Sequence, residues 1–516
     1  VIILIDYFCK YNTIIKMAQG SVSSLAKQTV IYGISSILGR LLNYLLVPLY
    51  SRLFLPAEAA VYVEFYAYAA IFLVILTYGM ETAFFRFIND KNLNDQERVY
   101  STAFSSILLT SSFFILILSI FSNNIASGLG YVGNGKYVIF FAIIAGADAI
   151  SSIPFAYLRS KGKAITFATI RIVNIIINVF LNILFLVIIP NLYNNHPDLQ
   201  NFLSIFTNGT PWIGYIFVAN LITSILNLIL LFPYYKRVKL RIDKHLWVIM
   251  LKYALPLLIL GLSGILNNNI DRILLKNLLP PDIAMHQVGV YGMVFKFSVI
   301  MSLALQAFRY AADPFFFEQS TEQDAKKTYA RVMNYFVITL VLIYALTMLN
   351  MDYVKYFVGK SYFEGLPVVN ILLLSQLFLG IFYNLSIWYK LTDKTLLGAI
   401  VSISGTAILI ILNIILIPKI GYVGSAWANL ICNFAIAVAS YLLSQKYYPV
   451  PYELTKLIIY IISGIIIVFL GSLIPTIDNH ILNILAHNSL LLIYIPIIYY
   501  LEPGFFKFIK NTLKRK

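Results

Sequence analysis

The sequence predicts an all-α, polytopic membrane protein of about fourteen transmembrane helices. Composition is the first observation behind that prediction. The chain is 516 residues long, 60% hydrophobic and only 12% charged, against about 25% charged residues in soluble domains. So little charge cannot clothe a water-soluble surface of this size. The second observation is fourteen apolar runs, most near the roughly 20 residues that a helix needs to cross a bilayer. Barrel strands would instead alternate polar and apolar over about 10 residues. The third is the placement of basic side chains. With the N-terminus cytoplasmic, 27 of the 38 Lys and Arg residues fall on inner segments, seven on outer segments and four inside runs. No loop breaks the positive-inside bias, and both termini are expected in the cytoplasm.

Residues 1–28 form the expected N-terminal tail. Val1 to Ile5 is too short an apolar stretch for a signal peptide. Met17, followed by AQGSVSSLAKQTV, has the character of a start, so 1–16 are expected to be an upstream extension. Spans at 29–55, 60–80, 99–121, 137–158, 164–190 and 211–233 make an N-terminal six-helix lobe, 29–235. A basic linker, 236–245, leads to a second lobe, 246–445, with spans at 246–270, 287–310, 331–349, 366–390, 395–418 and 424–444. A helix pair at 454–476 and 480–501 and a basic tail complete 446–516.

The lobes echo one another in order. Ala219-Asn220-Leu221-Ile222 recurs as Ala428-Asn429-Leu430-Ile431, and the basic turn 159–163 recurs as 390–394. The spans that follow the two turns end near Pro190 and Pro418. That order is a parallel repeat, as in transporters built from two matched bundles. From Lys163 to Ala219 is 56 residues, against 34 from Lys394 to Ala428. The loop at 191–210 accounts for the excess.

Ionisable groups inside apolar helices are costly and mark pathways or partners. At 1.5 Å per residue, Arg40 lies about 15 Å into its span, Arg171 about 10 Å and Lys296 about 12–15 Å. Lys252 is shallow enough to snorkel. Asn174, Asn178 and Asn182 follow Arg171 at +3, +7 and +11, a single helical stripe. The stripe is either a hydrogen-bonded seam between helices or the lining of a wet cavity. Asp148, mid-span, either pairs with Arg40 or Arg171 or carries a coupling proton. Asp271 and Arg272 are candidates for a charge pair or a coupling site. Glu81, Arg86, Arg309 and Asp313 stand at cytoplasmic helix ends, as gate salt bridges or interfacial anchors. Arg40, Arg171 and Lys296 set against Asp148 leave an excess of deep positive charge, which suits an anion such as phosphate.

Other chemistries find little support. Cys9 and Cys432 make no disulfide framework, and the five histidines are scattered, so no metal or other cofactor is expected. Gly128-Leu129-Gly130-Tyr131-Val132-Gly133 formally matches a dinucleotide fingerprint but opens no βαβ unit. The net charge of +16 is cytoplasmic-loop bias that suits anionic lipid, not a nucleic-acid surface.

The run VYGMVFKFSVIMSLALQAFRYAADPFF at 290–316, the Asp271-Arg272-Ile273-Leu274 turn and NIILIPKIGYVG at 413–424 carry a resemblance. With the fourteen-span pattern, they resemble the polysaccharide-lipid flippases of the multidrug/oligosaccharidyl-lipid/polysaccharide exporter (MATE-like) superfamily. The resemblance implies a bacterial inner-membrane protein that turns undecaprenyl-diphosphate-linked oligosaccharide, O-antigen or another surface polysaccharide, across the bilayer by alternating access. It also implies a cationic cavity, to which Arg40, Arg171 and Lys296 could correspond by placement. Partners on this view are the lipid-linked substrate, membrane lipids, H+ or Na+ as coupling ion, and a polysaccharide polymerase. A lipid II flippase and a cation-coupled multidrug exporter are the alternatives within transport. A membrane glycosyltransferase or polymerase is disfavoured, because the longest outer loop offers only His196 and Asp198 for acid–base work.

Overall fold

Every regular element among the described residues is helical. The computed structural model describes residues 44–89, 95–236, 238–320, 322–475 and 477–502, apart from the side chains of residues 311, 313 and 314. The expected N-terminal tail, most of the first span and the basic C-terminal tail lie outside them. Twelve helical runs among the described residues are long and apolar enough to cross a membrane. The chain divides into two compact units, one within 24–289 and the other within 290–516.

The first unit contains α1 (Val47–Leu53), α2 (Pro56–Thr77), α3 (Met80–Ile88), α4 (Gln96–Ile120), α5 (Gly135–Ser160), α6 (Ala164–Ile183), α7 (Gly214–Tyr235) and α8 (Lys244–Leu278). Local chemistry fixes several starts. Pro56 opens α2, whose Glu58 carboxylate accepts from the Leu55 amide at 2.9 Å. Asp95 caps α4 and Asp243 caps α8, each carboxylate taking an amide hydrogen bond at 2.9 Å. α2 and α3 are separated by Tyr78 and Gly79, both left-handed. Glycine is required there, since a Cβ on Gly79 would lie 2.6 Å from the Ala254 carbonyl of α8. The helix α5 is the hub, packing against α2, α4, α6 and α7. Its run of Ala142, Ala145, Gly146, Ala147 and Ala149, all buried, lets neighbouring backbones approach closely, the usual basis of helix packing in lipid.

The second unit continues α9 (Pro281–Val294, which carries the unit boundary) with α10 (Val299–Gln319), α11 (Ala325–Leu349) and α12 (Pro367–Leu385). It ends with α13 (Thr395–Tyr447), α14 (Leu454–Leu473), α15 (His480–Ser489) and α16 (Tyr494–Leu501). The spans expected at 395–418 and 424–444 are the two arms of α13, joined at Ile420 and Gly421, where φ reaches +58°. Buried asparagines tie this unit together. Asn433 donates to the Ser375 hydroxyl at 2.9 Å, and Asn334 donates to Glu453 at 2.8 Å and Glu502 at 2.7 Å. The last two bonds fasten the terminal helices to α11.

One expected boundary moves. The helix α8 runs to Leu278, eight residues beyond the predicted span, so Asp271, Arg272 and Lys276 lie on helix rather than in a loop. A helix satisfies its backbone internally whatever its side chains, and these three find polar partners, described below.

The basic linker is strapped to the start of α4. Ser101 donates to the carbonyls of Lys239 and Arg241, and Arg98 pairs with Asp243, its Nε at 2.9 Å. The Leu246 amide, followed by the Arg98 guanidinium, holds the Asp243 carboxyl below the ordinary carboxylate range. A depressed carboxylate stabilises fully above its ordinary value of 3.8, and that contribution is lost as pH falls through the folded value. Asp243→Ala should lower Tm more than Asp243→Asn, because asparagine keeps the cap and loses only the ion pair. The gap between wild type and Asp243→Asn, followed by thermal unfolding in detergent, should close as pH falls below about 4 and narrow in high salt.

Candidate functional site

The first unit encloses a cavity of about 420 Å3 between α2, α3, α5, α6 and α7. One wall is apolar, from Leu73, Val74, Phe155 and Phe167. Polar groups enter from the others: Thr77, Glu81, Asp148, Ser151, Ser152, Arg159, Arg171 and Asn227. Helical spacing explains the set. Asp148, Ser151, Ser152, Phe155 and Arg159 follow at i, i+3, i+4, i+7 and i+11 on one face of α5.

Asp148 accepts a hydrogen bond from the Ser224 hydroxyl at 2.9 Å and makes no ion pair with a described residue. Arg171 is exposed to the cavity. Its guanidinium lies 4.1 Å from the Phe155 ring centre and 5.7 Å from that of Phe167, within cation–π range. Asn227 is buried, and its side-chain oxygen has no hydrogen-bond donor among the described residues. Such an acceptor calls for water or a ligand hydroxyl. Toward the basic turn 159–163, Glu81 pairs with Arg159, whose guanidinium lies 4.8 Å from the Phe85 ring centre.

The asparagine stripe faces a neighbouring helix. Asn174 donates to the Thr223 carbonyl at 2.7 Å, and Asn178 donates to Asn220 at 3.2 Å and to the Thr223 hydroxyl at 3.3 Å. Asn182 donates to the Asn178 carbonyl at 2.8 Å and accepts from the Tyr50 hydroxyl at 2.8 Å. These bonds stitch α6 to α7 and α1, and none of the three asparagines lines the cavity.

The remaining expected residues are dispersed. Arg40 lies outside the described residues. Lys296 is half-buried in the 3-10 turn Phe295–Ser298 of the second unit. Among the described residues, the cavity of the first unit therefore holds two carboxylates and two guanidiniums. The expected cationic excess rests on Arg40 and Lys296. Asp271 and Arg272 are both buried and pair with each other at 2.9 Å. Arg86 lies 4.2 Å from the Tyr253 ring centre. Arg309 is exposed, 4.4 Å from the Tyr383 ring centre, and the Asp313 side chain lies outside the described residues.

Sequence reasoning missed a buried charge cluster in the same unit. The Glu64 side chain has no exposed surface. It accepts from Lys276 Nζ at 2.6 Å and from the Tyr131 hydroxyl. Lys276 also donates to the Leu129 carbonyl at 2.6 Å, and its ammonium lies 4.0 Å from the Tyr131 ring centre. The available signal was an acidic residue inside the apolar run VYVEFYAYAA. Breaking one side of a buried pair typically costs about 3–5 kcal/mol. Lys276→Ala should therefore lower Tm sharply, whereas Glu64→Gln combined with Lys276→Met should recover most of the loss. A double-mutant cycle on thermal unfolding checks both.

Residues 25–320 match the family described as polysaccharide biosynthesis protein. No curated protein matches the chain. Among solved structures, the chain is similar to the lipid II flippase MurJ in an inward closed conformation. The TM-score is 0.63 at 17% identity, with 91% of this chain and 99% of that chain covered. It is similar to an inward-facing multidrug resistance MATE family transporter of the MOP superfamily, with TM-score 0.60, 12% identity and 80% and 94% coverage. A third is a MOP superfamily transporter from Pyrococcus furiosus, described as having a binding pocket of reversed polarity. There the TM-score is 0.52 at 15% identity, with 81% and 95% coverage. At these identities the likeness establishes the fold: an all-helical, multi-span architecture.

Proposed function

Because the chain belongs to the polysaccharide biosynthesis protein family, we propose that it is a flippase for undecaprenyl-diphosphate-linked oligosaccharide. On this reading it carries an O-antigen or other surface-polysaccharide unit across the bacterial inner membrane by alternating access. The observation that carries the reading is Arg171. It is a guanidinium held on two aromatic rings in a cavity inside an apolar bundle, with no ion pair among the described residues. A diphosphate offers several anionic oxygens, and the planar fork of arginine binds such oxygens in pairs. Arg40, expected deeper in the first span, and Lys296 are the further cations of the proposal.

The cavity also suits sugars. Thr77, Ser151, Ser152 and Asn227 bring hydroxyls and an amide to its wall, and a sugar hydroxyl can donate to the partnerless Asn227 oxygen. The Glu81–Arg159 pair stands toward the expected cytoplasmic end and would open to admit the headgroup, while the prenyl chain stays in lipid. Asp148 is the candidate for a coupling proton or Na+, and a polymerase would take the product on the far side. The activity needs no bond making.

Purified protein in lipid vesicles should move a fluorescent undecaprenyl-diphosphate oligosaccharide to the opposite leaflet, read as loss of the signal to a membrane-impermeant quencher. Arg171→Ala should slow this roughly 10- to 100-fold, equivalent to about 1.5–3 kcal/mol of charged hydrogen bonding, with Tm unchanged. Arg171→Lys should fall between. Movement of lipid II or of cationic dyes in preference to the oligosaccharide would replace the substrate. Wild-type rates in Arg171→Ala would remove this residue from the site.

A further inference from the structure

The segment 191–213, between α6 and α7, belongs to no part of the cavity. Beyond α6 the chain continues through a wide turn, Leu184–Ile188, into the short helix Ile189–Asn195. It then doubles back through Pro197–Leu199 and Gln200–Leu203. The fold-back is held in place. Gln200 donates to the Tyr193 carbonyl at 3.0 Å, Asn194 donates to the Gly209 carbonyl at 3.1 Å, and Leu203 and Thr207 are buried. A segment fixed in this way presents a defined face.

That face is apolar. Leu199, Phe202 and Ile205 are 45%, 63% and 75% exposed, and their spacing of three places them on one side of consecutive helical turns. Asp198, just before Leu199, and Asn201, just before Phe202, are also exposed but flank that side. No Lys or Arg occurs from 172 to 235, so the surface lacks the basic residues that mark the opposite ends of α6 and α7. Exposed apolar patches of this kind mark protein or membrane contacts.

Two observations choose the membrane. Exposed Phe180 and Ile183 on α6 and Ile188 in the turn beyond it lead toward the segment, so the patch continues the exposed apolar side chains of a helix long and apolar enough to cross a membrane. The segment leads along the chain into an aromatic cluster at Trp212. Trp212 packs against Tyr137 and Tyr215, with ring centres 6.1 and 5.3 Å away, and Lys136 Nζ lies 4.1 Å from the Trp212 ring centre. Trp and Tyr gather where acyl chains meet headgroups, which sets the depth of the segment. We infer that residues 196–206 lie in the outer-leaflet interface, with Leu199, Phe202 and Ile205 seated among the upper acyl chains. Asp198 and Asn201 face headgroups and water.

Site-directed spin labelling of the full chain tests this. Single cysteines at 198, 199, 201, 202 and 205, in a background with Cys9→Ser and Cys432→Ala, are labelled and reconstituted into phosphatidylethanolamine/phosphatidylglycerol vesicles. Labels at 199, 202 and 205 should be severalfold more accessible to oxygen relative to a water-soluble nickel chelate than labels at 198 and 201. Equal nickel access at 202, 205 and 198 would put the face in water. Exclusion of both reagents at 202 and 205 would mean that protein covers it. Either result overturns the inference. Hydroxyl-radical footprinting of the unsubstituted protein in the same vesicles is independent of the cysteine variants. Phe202 should be oxidised far less than His196, and equal oxidation would again overturn it.

Discussion

A carboxylate with no exposed surface cannot stay charged inside an apolar bundle unless a cation and hydrogen-bond donors meet it there, and Glu64 sets that constraint on the first unit. Its partner, Lys276, lies near the end of α8, 212 positions along the chain. The pair therefore fastens the last helix of the unit to α2. Tyr131 completes the arrangement by donating to the same carboxylate oxygen while offering its ring to the ammonium. Desolvation makes such a pair a poor source of net stability compared with apolar packing. Its effect is on register: the pair ties one position of α2 to one position of α8, 212 residues apart.

The same logic, at lower stakes, orders the rest of the unit. Lipid offers helices no hydrophobic reason to associate, so contact depends on close packing and interhelical hydrogen bonds. The small residues of α5 supply the first, and the Asn174, Asn178 and Asn182 stripe supplies the second. That stripe stitches α6 to α7 along the back of the cavity. Arg171, one turn before it on the same helix, is thereby fixed in direction and turned toward the cavity wall formed by Phe155.

The sequence announced the all-helical, multi-span architecture because that architecture rests on a one-dimensional signal, apolar run length. That signal survives without knowledge of any contact. The end of α8 was harder to place, because charged residues at 271, 272 and 276 ended the apolar run while the helix continued. Glu64 was overlooked for a related reason: its partner seemed to belong to a loop. The stripe of asparagines was legible as a stripe, but periodicity cannot say whether a polar face meets water or another helix. That depends on Asn220 and Thr223, some 42 and 45 positions from Asn178. Arg171 and Asp148 stood out because an ionisable group in a span is conspicuous. That they share one cavity, with Asp148 bonded to Ser224, is information only packing can supply.

The charge balance of the cavity then bears on what it can hold. Two of its four ionisable groups pair with each other at the Glu81–Arg159 end. Of the other two, Asp148 takes a hydroxyl hydrogen bond, while Arg171 lies against the rings of Phe155 and Phe167 and makes no ion pair among the described residues. Aromatic faces orient a guanidinium without occupying its N–H donors, so those donors remain free for an anion entering the cavity. A carboxylate partner in contact would occupy the same donors and would have to be displaced. Asp148 is bonded to Ser224 rather than ion-paired with Arg171, which leaves the fork of Arg171 unoccupied by a carboxylate among the described residues. Such an arrangement favours an anion that binds and leaves over one held permanently, as the proposed flippase activity would require.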